Sequence, residues 1–200
     1  MDKLEKQIIA LRYWLLGHEY FKAIKALELA SGFHSGVRRD GSRELSHQVS
    51  IAHYVKTIIK SVDQPEDTLI VALLHDSIED AKITHSEAAR IFGREIANSI
   101  EYLSKFDKSG QKHTDAFYYM YIQTDRVASL IKGADRIHNL DTMQGAFTAQ
   151  KKEVYLAETQ AYVLPMLKAA RREFPTQEMA YQNMKYFIES QIRMLQAIQF

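Results

Sequence analysis

Apolar residues recur at three- and four-residue intervals along most of the chain, and the alternating patterns that mark strands are scarce. Leu4 to Leu16 and Tyr20 to Ala30 predict two helices that break near Gly17. The stretch from Ser31 to Ser46 contains Gly32, Gly36 and Gly41 and predicts a loop. Ser46 is placed to cap a helix running from His47 to Lys60. Asp63-Gln64-Pro65-Glu66-Asp67 puts a proline and two acids in a first helical turn, where the missing N–H and the helix dipole favour them. The helix that follows is predicted to extend to about Glu79. Its Leu69, Ile70, Ala72, Leu73 and Leu74 leave little polar stripe, the pattern of a buried central helix. Thr84-His85-Ser86-Glu87 is a capping box that opens a short helix to Phe92. Further helices are predicted over Arg94 to Phe106, Gln111 to Ile122 and Asp125 to Met143. Lys151 to Phe174 and Thr176 to Phe200 predict a helical hairpin around Pro175, with Pro165 kinking its first arm. Tyr181, Met184, Phe187, Ile188, Ile192, Leu195 and Ile198 form a stripe at helical spacing, facing the core or else a second copy of the chain in a homo-oligomer.

Composition narrows the class. Two hundred residues suffice for one well-cored domain, with 46% apolar residues. Lysine and arginine number 26 against 25 acids, so no strong field points to nucleic acid or to an acidic membrane surface. There is no cysteine, which excludes thiolate metal sites and disulfides. The charged N-terminal stretch Met1-Asp2-Lys3-Leu4-Glu5-Lys6 lacks the apolar core of a signal peptide, and no run of about 18 apolar residues occurs. The expectation is a cytoplasmic protein with neither a membrane nor a nucleic acid as partner.

The chemistry is concentrated in two stretches. Ala72-Leu73-Leu74-His75-Asp76-Ser77-Ile78-Glu79-Asp80 packs an imidazole and three carboxylates behind an apolar run. On a continuous helix Glu79 would stack on His75 and Asp76, and Asp80 on Asp76. In the second stretch, Leu130 to Thr142, the residues Asp135, His138, Asn139 and Thr142 share one helical stripe. His47 is a third candidate. His47, His75, Asp76 and Asp135 together make a shell of two imidazoles and two carboxylates, which suits manganese, iron or zinc better than calcium. His138, next to Asn139, reads as a hydrogen-bonded structural histidine. Phe117, Tyr118, Tyr119, Met120 and Tyr121 read as core and rim aromatics, with a wall for stacking a nucleobase as the alternative.

His47, His75-Asp76 and Asp135 resemble the pattern of HD-domain phosphohydrolases. More closely, His34-Ser35-Gly36-Val37-Arg38-Arg39-Asp40-Gly41, the stretch from Ala72 to Thr84 and that from Arg126 to Asn139 resemble the hydrolase domain of the RelA/SpoT family and its stand-alone relatives, the small alarmone hydrolases. The resemblance runs from about Glu19 to about Met143. It implies an all-α fold, an HD-domain helical bundle with a C-terminal helical hairpin, forming one domain over 1–200. It also implies a single Mn2+ ion, other divalent transition metals being possible, and an enzyme that removes the 3′-pyrophosphate from guanosine 3′,5′-bis-diphosphate or its pentaphosphate form. Metal ligation falls to His47, His75, Asp76 and Asp135. Glu79 and Asp80 orient the attacking water and move its proton. Arg38 lies against the guanine base, Arg39 and Lys132 reach phosphates, and Asn139 and Thr142 bond ribose or phosphate. No synthetase domain fits in 200 residues, so the alarmone is expected to be degraded and not made.

The chain also departs from the family pattern. Glu44-Leu45-Ser46-His47-Gln48 lacks the prolines usual around the metal-binding histidine, Asp141 stands where an arginine is usual, and Gly133 replaces a usual leucine. Two alternatives stay open. One is an HD phosphohydrolase acting on a deoxynucleotide, NADPH or another modified nucleotide. The other is a non-catalytic nucleotide-binding HD module.

Overall fold

The computed structural model describes residues 1–38, 41–107 and 109–198, and Arg39 lies outside them. The fold is all-α: among the described residues the only extended pairings are two isolated bridges, Val37 with Arg43 and Phe106 with Lys112. Eleven α-helices are described: α1 (Lys3–Gly17), α2 (Phe21–Phe33), α3 (Leu45–Thr57), α4 (Pro65–Leu74), α5 (His85–Phe92), α6 (Arg94–Tyr102), α7 (Asp115–Ile122), α8 (Arg126–Ala146), α9 (Ala149–Glu158), α10 (Leu164–Glu173) and α11 (Glu178–Ile198).

α8 is the axis of the bundle. It packs against α3, α4, α6, α7, α10 and α11, and it is buried from Val127 to Arg136. Asp125 starts it by accepting the N–H groups of Val127 and Ala128, and the same carboxylate accepts the Ser99 hydroxyl of α6. α4 is the second central element, with every residue from Thr68 to Leu74 buried. At its start Glu66 reaches the backbone N–H groups of Lys22 and Ala23 and so caps α2, whose own N-cap residue, Tyr20, offers no side-chain bond. Two glycines are required by geometry. Gly93 joins α5 to α6 at φ 104°, a conformation that side chains rarely adopt. Gly133 lets α8 approach the C-terminal hairpin: a Cβ there would lie 2.6 Å from the Met184 sulfur and 3.0 Å from a Leu167 methyl.

Several local expectations are corrected. α3 begins at Leu45 with Glu44 at its cap, so Ser46 lies inside the first turn, and a short 3-10 turn over Ile59–Ser61 replaces its predicted last turn. α6 ends at Tyr102, short of Phe106. α4 ends at Leu74, short of Glu79, and the chain continues as linked turns to Ala81, whose φ is 54°. At that end the His75 imidazole bonds the Ala72 carbonyl at 3.1 Å, the acceptor that the Asp76 N–H of a continuing helix would use. Around Pro165 the helix accommodates the missing N–H with a π-helical turn over Thr159–Val163, which links α9 to α10. The α11 stripe divides. Tyr181, Met184, Ile188, Ile192 and Leu195 are buried, whereas Phe187 and Ile198 are exposed. Among the described residues no helix is long and apolar enough to cross a membrane.

Candidate metal centre

Three helix-borne segments meet at one point. α3 brings His47, the end of α4 brings His75 and Asp76, and α8 brings Asp135. His47 Nε2 lies 3.3 Å from His75 Nε2 and 3.3 Å from Asp135 Oδ1. Asp76 Oδ2 lies 3.1 Å from His75 Nε2 and 3.9 Å from His47 Nε2. The two imidazoles and Asp135 are buried, and Asp76 sits on the solvent side of the group. His47, His75 and Asp135 each offer a ligand atom within 4.8 Å of the others.

The donor set fits a divalent cation. Bonds of about 2.1 Å to nitrogen and oxygen hold neighbouring ligand atoms about 3.0–3.4 Å apart, the spacing of His47 to His75, His47 to Asp135 and His75 to Asp76, while Asp76 stands wider from His47 at 3.9 Å. The outer contacts also turn the lone pairs inward. His75 Nδ1 donates to the Ala72 carbonyl, which leaves Nε2 bare toward the centre. His47 Nδ1 pairs with His138 Nδ1 at 2.9 Å. Asp135 is held by two donors: Lys132 Nζ at 3.0 Å from Oδ2, and the Asn139 amide on Oδ1.

Ionisation reports the same demand for positive charge. Burial depresses the His47 imidazole, against the pull of Asp135, so it is a neutral donor. Burial would depress His75 too, but the adjoining Asp76 outweighs it and raises His75 to about 9. Asp76 falls to about 2, because His75 overrides the upward push of burial. His75 and Asp76 thus shift in opposite directions, each favouring the charged form of the other, as a site built to gather charge would. Burial opposes ionisation of Asp135 as well, and Lys132 followed by His47 brings it well below the carboxylate range.

Around this centre the substrate candidates separate. Arg38 donates to Asn139 Oδ1 at 3.2 Å. Arg38, Asn139 and Thr142 line a cavity of about 280 Å³ together with Val37, Met143 and Phe147. The Thr142 hydroxyl bonds the His138 carbonyl at 3.0 Å. The Lys132 ammonium is committed to Asp135 and is nearly buried. Glu79 does not stack on His75: α4 has already ended, and the Glu79 carboxylate accepts the Lys105 backbone N–H at 2.7 Å. Asp80 stays electrostatically coupled to the centre. Partial burial and then the Asp76 charge raise its carboxyl above the ordinary value. Asp141 lies away from the Arg38 cavity, on the wall of a separate space of 240 Å³ shared with Tyr54, His138 and Gln191. The exposed face of α7, Phe117 and Tyr121, lines a third cavity with Tyr102 and His113, while Tyr118 and Tyr119 are buried.

Two residues of this neighbourhood escaped the sequence reading. His34 is buried with neither ring nitrogen hydrogen-bonded, and it lies in the field of Asp76, Glu44, His75 and Asp80. Its sequence signal was a place at the head of the glycine-flanked stretch His34 to Gly41, which carries part of the family resemblance but gave this residue no role. Lys105 holds Glu79 through its backbone and reaches Glu158 with its ammonium at 3.5 Å, a pairing that no spacing rule announces.

Comparison with known proteins agrees with this arrangement. The family model of the HD domain matches residues 26–172, and the chain belongs to that family. An HD domain implies a divalent metal, and the His/Asp cluster is compatible with one. The chain is 30% identical over 166 residues to a guanosine-3′,5′-bis(diphosphate) 3′-pyrophosphohydrolase of Spiroplasma citri, a match covering 78% of this chain and 22% of that protein. It is 31% identical over 150 residues to the bifunctional (p)ppGpp synthase/hydrolase SpoT of Escherichia coli (strain K12), covering 71% of this chain and 21% of that one. The matched region thus spans about a fifth of the length of these curated relatives. A solved structure of a metazoan ortholog of SpoT, described as hydrolysing ppGpp, shares the fold with a TM-score of 0.67 at 20% identity, covering 86% of this chain and 94% of that one.

Proposed function

We propose that this chain is a metal-dependent pyrophosphohydrolase that removes the 3′-pyrophosphate of guanosine 3′,5′-bis(diphosphate). The observation that carries the reading is the meeting of His47, His75-Asp76 and Asp135 beside a cavity lined by Arg38 and Asn139. The relatives named above, which carry this activity in their names, support the choice of substrate.

The four residues of the centre would hold the ion, and the mixture of two imidazoles with two carboxylates favours Mn2+ over calcium. When bound, a divalent ion supplies Lewis acidity, polarising phosphoryl oxygens and acidifying water. The protein does the positioning. Arg38, steadied by Asn139 Oδ1, offers a planar cation against which the guanine base lies, and Phe147 and Met143 supply apolar walls. Asn139 and Thr142 sit on the same helical face for the ribose. Lys132 keeps Asp135 ionised and adds positive charge next to the phosphates. Arg39 is assigned to a phosphate on resemblance alone. In the hydrolytic step water attacks the phosphorus attached to the 3′-oxygen and the bond to that oxygen breaks. Pyrophosphate leaves, and a proton passes from the water to the ribose oxygen. Asp80, whose backbone N–H bonds the carbonyl of Asp76 one turn earlier at 2.9 Å, is assigned the proton. Glu79 orients the water from the adjoining turn while anchoring the segment at Lys105.

Asp141 lines the neighbouring space with Tyr54 and Gln191 and is not part of the wall that Arg38, Asn139 and Thr142 form. The test is a panel of nucleotides incubated with manganese-loaded protein, with phosphate and pyrophosphate measured separately. Pyrophosphate and GDP from the bis-diphosphate, with little turnover of deoxynucleotides or NADPH, is the expected result. Preferential turnover of another nucleotide would replace the substrate, and no turnover of any would remove the enzymatic reading.

A further inference from the structure

We propose that His138 is a positioning residue for the metal centre: it fixes the tautomer and the ring orientation of His47. This inference rests on the metal site of the preceding reading and adds a residue to it. The rings of His47 and His138 meet edge to face, with centroids 4.7 Å apart and planes at 68°. Their Nδ1 atoms are 2.9 Å apart, so one of the two must donate and the other accept.

The direction of that bond follows from the far side of the His47 ring. Nε2 of His47 faces His75 Nε2 and Asp135 Oδ1. It can bind a cation only through a bare lone pair, so the His47 proton must be on Nδ1. His47 Nδ1–H then donates, and His138 Nδ1 accepts. His138 is thereby held as the neutral tautomer with its proton on Nε2. The partner imidazole, His75, uses a backbone carbonyl for the same purpose, and a carbonyl is always an acceptor. His47 depends instead on a side chain that accepts in only one of its forms.

Placement makes the arrangement economical. α8 carries Asp135, which faces the centre directly, and His138 one turn later, which braces the ligand brought by α3. The register of α3 against α8 is therefore read twice by the same ion. Behind His138 the ring borders the cavity of 240 Å³ lined also by Ser50, Tyr54 and Gln191, which leaves room for side chains of similar size at this position.

The prediction is a loss of metal affinity without loss of fold. His138→Leu removes the acceptor. His138→Asn puts a carbonyl oxygen close to where Nδ1 was and restores it. Loss of an outer partner of a ligating histidine typically weakens metal binding about 10–100-fold. The full chain, stripped of metal, is titrated with Co2+ followed by visible absorption, and with Mn2+ against a competing chelator. Metal-free thermal unfolding is recorded alongside. The expected outcome is binding about 10–100-fold weaker in His138→Leu, with the metal-free melting temperature unchanged, and binding in His138→Asn within about threefold of wild type. Should His138→Leu fail to fold, His138→Met takes its place as the variant without the acceptor. Wild-type affinity in the leucine or methionine variant overturns the inference, as does an asparagine variant no tighter than either. His47→Ala separates this from a failure of the site itself: if wild type binds no cation, or binds it equally without His47, the metal centre falls and His138 with it.

Discussion

Lys132 and Asp135, one turn apart on α8, form a buried ion pair with Nζ 3.0 Å from Oδ2. The pair keeps a carboxylate ionised in the core while its second oxygen stays turned toward His47. Lys132→Met should strand that carboxylate. Metal-free protein should lose about 3–5 kcal/mol, the usual cost of breaking a buried pair from one side. Manganese should restore more stability to this variant than to wild type, because the ion then meets an uncompensated negative charge. Urea unfolding with and without Mn2+ checks this, and equal metal stabilisation of the two proteins would contradict it.

Asp80 and Glu79 are neighbours with different surroundings. Asp80→Asn should leave metal affinity intact and lower kcat by about 10² or more, since proton transfer contributes on that scale. Glu79→Ala should do the same if its carboxylate orients the water. Near-normal turnover of Glu79→Ala would reduce Glu79 to an anchor for the Lys105 backbone. Steady-state kinetics with metal analysis of each variant separates the two roles.

Away from the centre, Arg136 is almost completely buried. It is bonded to Glu158, Tyr119 and Thr159 and stacked on the Tyr155 ring. Burial would raise the Glu158 carboxyl, but Arg136 outweighs it and holds it at about 2, against 4.5 for a free glutamate. A depressed folded-state value means that stability is bound up with the ionised form. The contribution is complete above about 4.5 and drains away as pH falls toward 2. Urea unfolding at pH 6 and pH 3 should show a marked loss for wild type and a smaller one for Glu158→Gln, which cannot titrate there. Equal pH dependence in both proteins would place the acid-sensitive group elsewhere.

Gly133 is the point of closest approach between α8 and the hairpin. A methyl group there must displace the Met184 sulfur and a Leu167 methyl. Both are ends of side chains that can yield, so Gly133→Ala should cost about 1–3 kcal/mol. The melting temperature should fall by about 2–4 °C per kcal/mol in a chain of this size. Differential scanning calorimetry measures it, and an unchanged or raised melting temperature would show that the hairpin is not tightly seated.

Helical periodicity made most of this fold legible before any coordinates, because apolar stripes report which faces are buried. The metal-centre candidates were legible for a chemical reason: imidazole and carboxylate at the ends of apolar runs are costly unless charge is wanted there. What stayed hidden depends on contacts between distant elements. α4 ends at Leu74, where the His75 imidazole bonds the Ala72 carbonyl, a contact that helical periodicity does not report. Glu79 is not stacked on His75 because α4 ends first, and its carboxylate accepts the Lys105 N–H from the segment after α6. His138 could be read as hydrogen-bonded, but not as the partner of His47, since that follows from the register of α3 against α8. The Arg136–Glu158 network joins α8 to α9 across positions that no spacing rule connects.

The most direct test is metal stoichiometry by elemental analysis of the purified chain, in wild type and in Asp76→Ala and Asp135→Ala. One divalent ion per wild-type chain, lost from both variants, is the expected result. Equal metal content in all three, or none in wild type after loading with manganese, would contradict the claim that these helices enclose an ion.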